Sequence, residues 1–313
     1  MKFTVSMMRS SRNLNWLRRT RINAALLCLC FSPGWLFAQT GEVPSATQLP
    51  DSPGQPFVSP DTEAIKADAT AEEGDAVEVN TTGAGERPRP EEEARRSYLG
   101  RVLAKPMSHL GAPWLIRPER DEEERASESF QQLKLTEGMV VCDLGCGNGY
   151  WTLPMARDVG AEGRVLAVDI QREMLQKLRE RSARFKLKNI EPILGAVNDP
   201  RLPKAEVDLV LMVDVYHEFS HPESMLWSIR RSLNPEGVVA LLEYREEDPS
   251  VPIKPLHKMS KSQIMKEYQA NGFKLVREYN KLPWQHLMFF ARDDSPLPKI
   301  EPVPAQQVLK NLE

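Results

Sequence analysis

The chain of 313 residues is 41% hydrophobic and carries 41 basic and 44 acidic side chains, a net charge of −3. That size admits one large α/β domain with appendages. Residues 1–38 hold six of the basic residues and no acids, so the rest of the chain has a net charge of −9 and lacks the overall positive footprint of a nucleic-acid binder.

Residues 1–38 read as an export signal. Lys2, Arg9, Arg12, Arg18, Arg19 and Arg21 precede an apolar run from Ala24 to Phe31, which Ser32-Pro33-Gly34 breaks. Leu36-Phe37-Ala38 then ends on a small residue suited to cleavage before Gln39. An exported protein is expected, released after cleavage or tethered to the membrane by an uncleaved amino terminus; a cytoplasmic location is the alternative. Residues 39–95 are rich in Pro, Glu, Asp, Ala, Thr and Gly with Phe57 as the one aromatic, and read as a disordered acidic linker.

Residues 96–136 are expected to form a helical extension. Tyr98, Val102 and Leu103 suit a helix, Gly111-Ala112-Pro113 breaks it, and a charged helix is predicted from Glu119 to about Leu133. Short apolar runs then alternate with helical spacing. Strands are predicted at Met139–Asp143, Arg164–Val168, Ile190–Leu194, Val207–Val213 and Val238–Tyr244, and helices at Tyr150–Val159, Gln171–Leu187 and Pro222–Leu233. A helix at Lys261–Asn271 and strands at Lys274–Tyr279 and Leu287–Ala291 complete the pattern, and residues 293–313 are expected to be a peripheral tail. The alternation predicts an α/β fold with a doubly wound, mostly parallel sheet covered on both faces, spanning residues 137–292.

The organising stretch is Val140 to Tyr150, VVCDLGCGNGY. An apolar run ends on Asp143, and Gly145, Gly147 and Gly149 follow at alternate positions before a helix. Such a turn brings backbone N–H groups close to a ligand beside the positive end of a helix. The dinucleotide spacing G-x-G-x-x-G would place its last glycine at Tyr150, so the third glycine comes one residue early. Asp143-Leu144-Gly145-Cys146-Gly147-Asn148-Gly149 closely resembles the D-x-G-x-G-x-G loop of the class I S-adenosylmethionine (SAM) methyltransferases. GAPWLIRPERDEEE, upstream, resembles the preamble of a bacterial group of predicted methyltransferases.

The resemblance implies a Rossmann-like fold of seven strands, the last antiparallel, with SAM as cofactor. It implies that Asp143, Gly145, Cys146, Gly147, Asn148 and Gly149 face the methionine end of SAM. Cys146 is read simply as a small residue that fits, and with Cys142 it offers neither a disulfide framework nor a full zinc set. Asp169, ending the second strand, would accept hydrogen bonds from the ribose hydroxyls, with helix capping as the plainer alternative. Relatives carry Gly-Asp after the third strand, whereas here Gly195 precedes Ala196-Val197-Asn198-Asp199, so Asn198 or Asp199 is the candidate for the adenine. Trp114 and Arg117 are candidates to cap the pocket, or simply to pack.

The fourth strand runs into Val213-Asp214-Val215-Tyr216-His217-Glu218-Phe219. Ligands of open α/β sheets collect at the carboxyl ends of the strands, which puts Asp214 in the cofactor set and this loop beside the transferred methyl group. His217 reads as a base and Glu218 as an orienting or substrate-binding carboxylate, with capping of the next helix as the alternative. His257 and His286 fall in loops expected at the same edge of the sheet, and complete the candidate catalytic set. These histidines with Glu218 or Glu243 contain metal-ligand chemistry, but no tight spacing marks a site and no metal is predicted. The fourth loop lacks the Asn-Pro-Pro-Tyr motif of amide or adenine methylation, which favours a small-molecule methyl acceptor over nucleic acid. A catalytically silent SAM-binding scaffold is the alternative function.

Overall fold

The computed structural model describes residues 96–313; the export-signal and linker expectations lie outside the described residues. Seven strands form the central sheet: β1 Val140–Leu144, β2 Arg164–Asp169, β3 Ile190–Leu194, β4 Val207–Val213, β5 Leu233–Tyr244, β6 Phe273–Tyr279 and β7 Gln285–Arg292. They pair in the order β3-β2-β1-β4-β5-β7-β6. Only β7 is antiparallel to its neighbours, as expected of the last strand. The chain reverses direction across the sheet between β1 and β4, so the carboxyl ends of β1, β2 and β4 open on one crevice.

The strands read as unbroken apolar runs because both faces are covered. Side chains alternate between faces with a period of two. Cys142, Leu166, Val210, Leu241 and Phe290 pack with helices α5 (Pro222–Ser232) and α6 (Lys261–Ala270). Their neighbours Val141, Val165, Leu209, Leu242 and Phe289 pack on the other face with α2 (Ala126–Gln132) and α3 (Thr152–Asp158). The helix α4 (Arg172–Arg184) places Leu175 and Leu178 against Ala167 and the glycine loop.

Three expectations are corrected. The segment around Tyr98 is a short antiparallel hairpin, Ser97–Tyr98 with Arg101–Val102, and not a helix. Leu99 and Gly100, with φ of 47° and 99°, occupy the left-handed region at its two turn positions, which a helix cannot contain. The charged helix predicted from Glu119 is two helices, α1 (Arg120–Glu124) and α2, because Arg125 is left-handed at φ 52° and the Asp121 carboxylate accepts the Ser127 N–H at 2.6 Å. The tail is not merely peripheral. It runs along the edge strand β6, where Ile300 N–H donates to Leu275 O at 2.9 Å, and ends in helix α7 (Ala305–Leu312) with Val308 buried.

Lys266 and Gln263 of α6 donate to Leu99 O in the hairpin turn, and a buried carboxylate of the same helix anchors Arg101. Glu267 is fully buried and accepts two bonds from Arg101, 2.7 and 2.8 Å, and one from Tyr216 Oη at 2.8 Å. Removing the guanidinium leaves a buried carboxylate without its counter-charge. Arg101→Ala is expected to destabilise the fold by about 3 kcal/mol in urea unfolding, whereas an exposed pair such as Lys299–Glu301 is expected to contribute less than about 1 kcal/mol.

Candidate functional site

The glycine loop leaves β1 with its backbone pinned to β2: Gly145 and Cys146 donate to Val168 O at 2.8 and 3.0 Å. Gly145, Gly147 and Gly149 all have positive φ. Space forbids a side chain as well, since a Cβ on Gly147 would stand 2.7 Å from Leu115 Cδ1 and one on Gly149 2.4 Å from Leu178 Cδ1. Asp143 is buried beneath the loop and accepts the Thr152 hydroxyl at 2.5 Å. Asp169 accepts Gly147 N–H at 2.9 Å on one oxygen and Gln171 N–H at 2.8 Å on the other.

A cover from the amino-terminal extension closes the crevice. Its core is a 3-10 helix, His109–Ile116, reached through Ala104 to Met107. Gln171 holds it twice, accepting from His109 N and donating to Met107 O, at 2.8 and 2.9 Å. Asn148 Nδ2 donates to Ala112 O at 2.9 Å, Met107 N to Glu218 Oε1 at 3.1 Å, and Ala104 N to His217 O at 3.2 Å. The cover is thus tied to the ends of β1, β2 and β4.

Between cover and sheet lies a cavity of about 490 Å³. Gly145, Gly147, Asp169 and Gln171 line one part of it, and Asp214, His217, Glu218 and His257 another. At the latter end His217 Nδ1 lies 2.7 Å from Glu243 Oε2, and its Nε2 3.0 Å from His257 Nδ1. Burial alone would lower the His217 pKa, but the Glu243 carboxylate outweighs it and the net shift is upward. Burial pushes Glu218 up to about 7 against the opposing pull of His217. Burial, reinforced by Glu124 and Glu243, raises Asp214 well above the carboxylate range, and Gln285 Nε2 spans its two oxygens at 3.0 and 2.8 Å.

The predicted residues separate on this geometry. Gly145, Gly147, Asp169, Asp214, His217, Glu218 and His257 line the cavity. Asp143, Cys146, Asn148 and Gly149 lie behind them, shaping the loop: Cys146 packs with Leu153 and Ala167, and Asn148 holds the cover. Asn198 and Asp199 border a separate shallow depression beside Trp227, and Ala196 and Val197 line the cavity in their place. His286 departs too: it is buried in β7, its Nε2 lies 2.9 Å from Glu247, and no residue of β7 lines the cavity. Trp114 lines the cavity, with the Arg117 guanidinium 3.9 Å over its ring. Sequence reasoning missed Arg120, Tyr244, Met107 and Gln171 as lining residues. Arg120 is buried, donating to Glu124 and to Leu115 O at 2.9 Å each, and nothing in the acidic run ERDEEE sets it apart.

A family profile described as a methyltransferase domain matches residues 135–290. This region is a class I SAM-dependent methyltransferase domain. A crystal structure of a SAM-dependent methyltransferase from Aquifex aeolicus shares the fold with a TM-score of 0.55 and 25% identity, over 59% of this chain and 98% of that one. A demethylmenaquinone methyltransferase of Listeria monocytogenes is 27% identical over 125 residues, 40% of this chain and 52% of that protein. An arsenite methyltransferase of Halobacterium salinarum is 30% identical over 115 residues, 37% and 29% respectively. The chain spans about half the length of the first of these curated relatives, and less of the second.

The methyltransferase cavity fits SAM by its own features. Gly145 and Gly147 present bare backbone to the cavity. Each Asp169 oxygen takes one backbone N–H and keeps acceptor capacity for a hydroxyl. Ile170, Met174, Ala196 and Val197 give an apolar lining beside it, suited to a flat base.

Asp143 sets a condition on pH. Burial, with Asp169 nearby and Thr152 opposing, pushes its carboxyl up to about 7. The folded state therefore holds a proton that the unfolded state has lost, and stability falls as pH rises from the ordinary Asp value to about 7. Asp143→Asn, which keeps an acceptor for Thr152, is expected to gain stability over the wild type progressively across that window and to keep the gain above it. Differential scanning fluorimetry from pH 4 to 8 measures this; a constant difference would show that the carboxyl is ionised throughout.

Proposed function

We propose that this methyltransferase acts on a small-molecule acceptor bound under the cover, beside His217, Glu218 and His257. One observation carries the reading: the same cavity is lined by the glycine loop and Asp169 and by that polar cluster. When bound, SAM supplies an electrophilic methyl group on its sulfonium. Asp169 and the bare backbone of Gly145 and Gly147 hold the cofactor, and Trp114, Leu115 and Met107 exclude water above it. His217, oriented by Glu243, and Glu218 position the acceptor and take a proton from acceptors that carry one. A cavity roofed by protein suits a small acceptor better than a nucleic-acid strand. The relatives named for demethylmenaquinone and arsenite support the same reading.

The decisive measurement is transfer of label from methyl-labelled SAM into cell extract, fractionated into small molecules, protein and RNA. Label is expected in the small-molecule fraction; label confined to RNA or protein would sink the reading. Asp169→Ala is expected to weaken S-adenosylhomocysteine binding at least tenfold by calorimetry. Undiminished binding would remove Asp169 from the cofactor site, and binding by the wild type with no label transferred to any fraction would favour the silent SAM-binding scaffold.

We further propose that the protein is exported and works outside the cytoplasm, on the strength of residues 1–38. Among the described residues no helix is long and apolar enough to cross a membrane, so a tether would be amino-terminal. A reporter active only outside the cytoplasm, fused after residue 95, is expected to be active; a silent reporter would refute export.

A further inference from the structure

Two imidazoles and a carboxylate converge at the acceptor end of the cavity. His217 follows β4, and His257 ends the loop that follows β5. His217 Nε2 lies 3.0 Å from His257 Nδ1 and 4.0 Å from Glu218 Oε1, and the last two atoms are 3.9 Å apart. All three residues line the cavity. Ion-to-ligand distances of about 2.0–2.2 Å place neighbouring ligand atoms roughly 3–3.5 Å apart, so this triangle closes on an ion with sub-ångström adjustment.

The surroundings favour an ion as well. Glu243, fully buried behind the cluster, accepts from His217 Nδ1 and thereby turns the Nε2 lone pair toward the other two groups. A carboxylate behind a ligating histidine is the arrangement that fixes imidazole orientation in metal centres. Without an ion, a proton between the two imidazoles is all that separates their lone pairs. Glu218 Oε1 already accepts Met107 N–H, and it retains a second lone pair.

We propose that His217 Nε2, His257 Nδ1 and Glu218 Oε1 form a three-ligand site for a divalent transition ion of the zinc type, with its open positions facing the cavity. Two imidazoles and one carboxylate are a donor set that zinc accepts while keeping a position for a further ligand. On the methyl-transfer reading above, that position would hold the oxygen or sulfur of the acceptor, and His217, its Nε2 engaged as a ligand, would orient the acceptor through the ion instead of taking its proton; the metal site itself stands without that reading.

The test uses the full chain freed of metal by a chelator and dialysed, then titrated with zinc chloride by calorimetry and with cobalt(II) by visible absorption. One zinc per chain, with cobalt bands of a site of low coordination number, is expected. His257→Ala, in a partly exposed loop, and Glu218→Gln, nearly isosteric, are each expected to weaken zinc binding tenfold or more and to abolish the cobalt bands. Glu243→Gln is expected to weaken it about tenfold. Cys28→Ser with Cys30→Ser is expected to leave the binding unchanged, which separates this site from the leader thiols. Failure of the wild type to bind zinc at 100 µM, or wild-type affinity in both His257→Ala and Glu218→Gln, would overturn the proposal. S-adenosylhomocysteine binding by the same metal-free protein reads the cofactor site separately, so either claim can fail while the other stands.

Discussion

Asp169 is the carboxylate on which the cavity depends. Its two oxygens join two turns that leave neighbouring strands, taking Gly147 N–H from one and Gln171 N–H from the other. Burial makes an unsatisfied carboxylate costly, and these two donors are what make the position tolerable. The link then propagates. Gln171, oriented by its backbone bond, grips the cover at His109 and Met107, and Met107 reaches Glu218 at the end of β4. A chain of short bonds thus runs from the cofactor end of the crevice to the acceptor end.

The two ends are built on different physics. At β1 and β2 the shape is made by removing side chains and by backbone bonds, with Thr152 and Asp143 bracing the loop from below. At β4 and β5 it is made by burying charge. Glu243 is held in the sheet with no exposure, and His217 covers both its oxygens, through the ring at 2.7 Å and the backbone N–H at 3.2 Å. Such a buried pair adds little net stability against an apolar substitute. What it provides is one fixed orientation of the His217 ring.

The sheet was legible because parallel strands covered on both faces are apolar without interruption, and the glycine loop because its constraints lie within seven residues. The hairpin at Tyr98 was not, since two strands of two residues carry no periodicity and the Leu99-Gly100 turn is the only signal. After β3 the polar residues were the natural candidates, but Ala196 and Asp199 exchange backbone bonds at 2.8 and 3.3 Å, closing a tight turn. That turn carries Asn198 and Asp199 away from the crevice and leaves Ala196 and Val197 in it. His257 joined His217 as strand order suggested, whereas His286 was captured by Glu247, a partner set by the path of a loop. Arg120 was illegible for a related reason: besides its i,i+4 partner Glu124, its burial is decided by Leu115 and the ring of Tyr150, contacts that exist only once the cover folds back.

The cover lies wholly before residue 135, where the family-matched region begins. Pro106, Met107, Trp114, Leu115 and Arg120 wall the cavity from outside the part of the chain by which its kinship is recognised. Floor and roof of the cavity therefore come from different stretches of the chain, and a fragment trimmed to the matched region would keep the glycine loop and Asp169 while losing Met107, Trp114 and Leu115 from the walls.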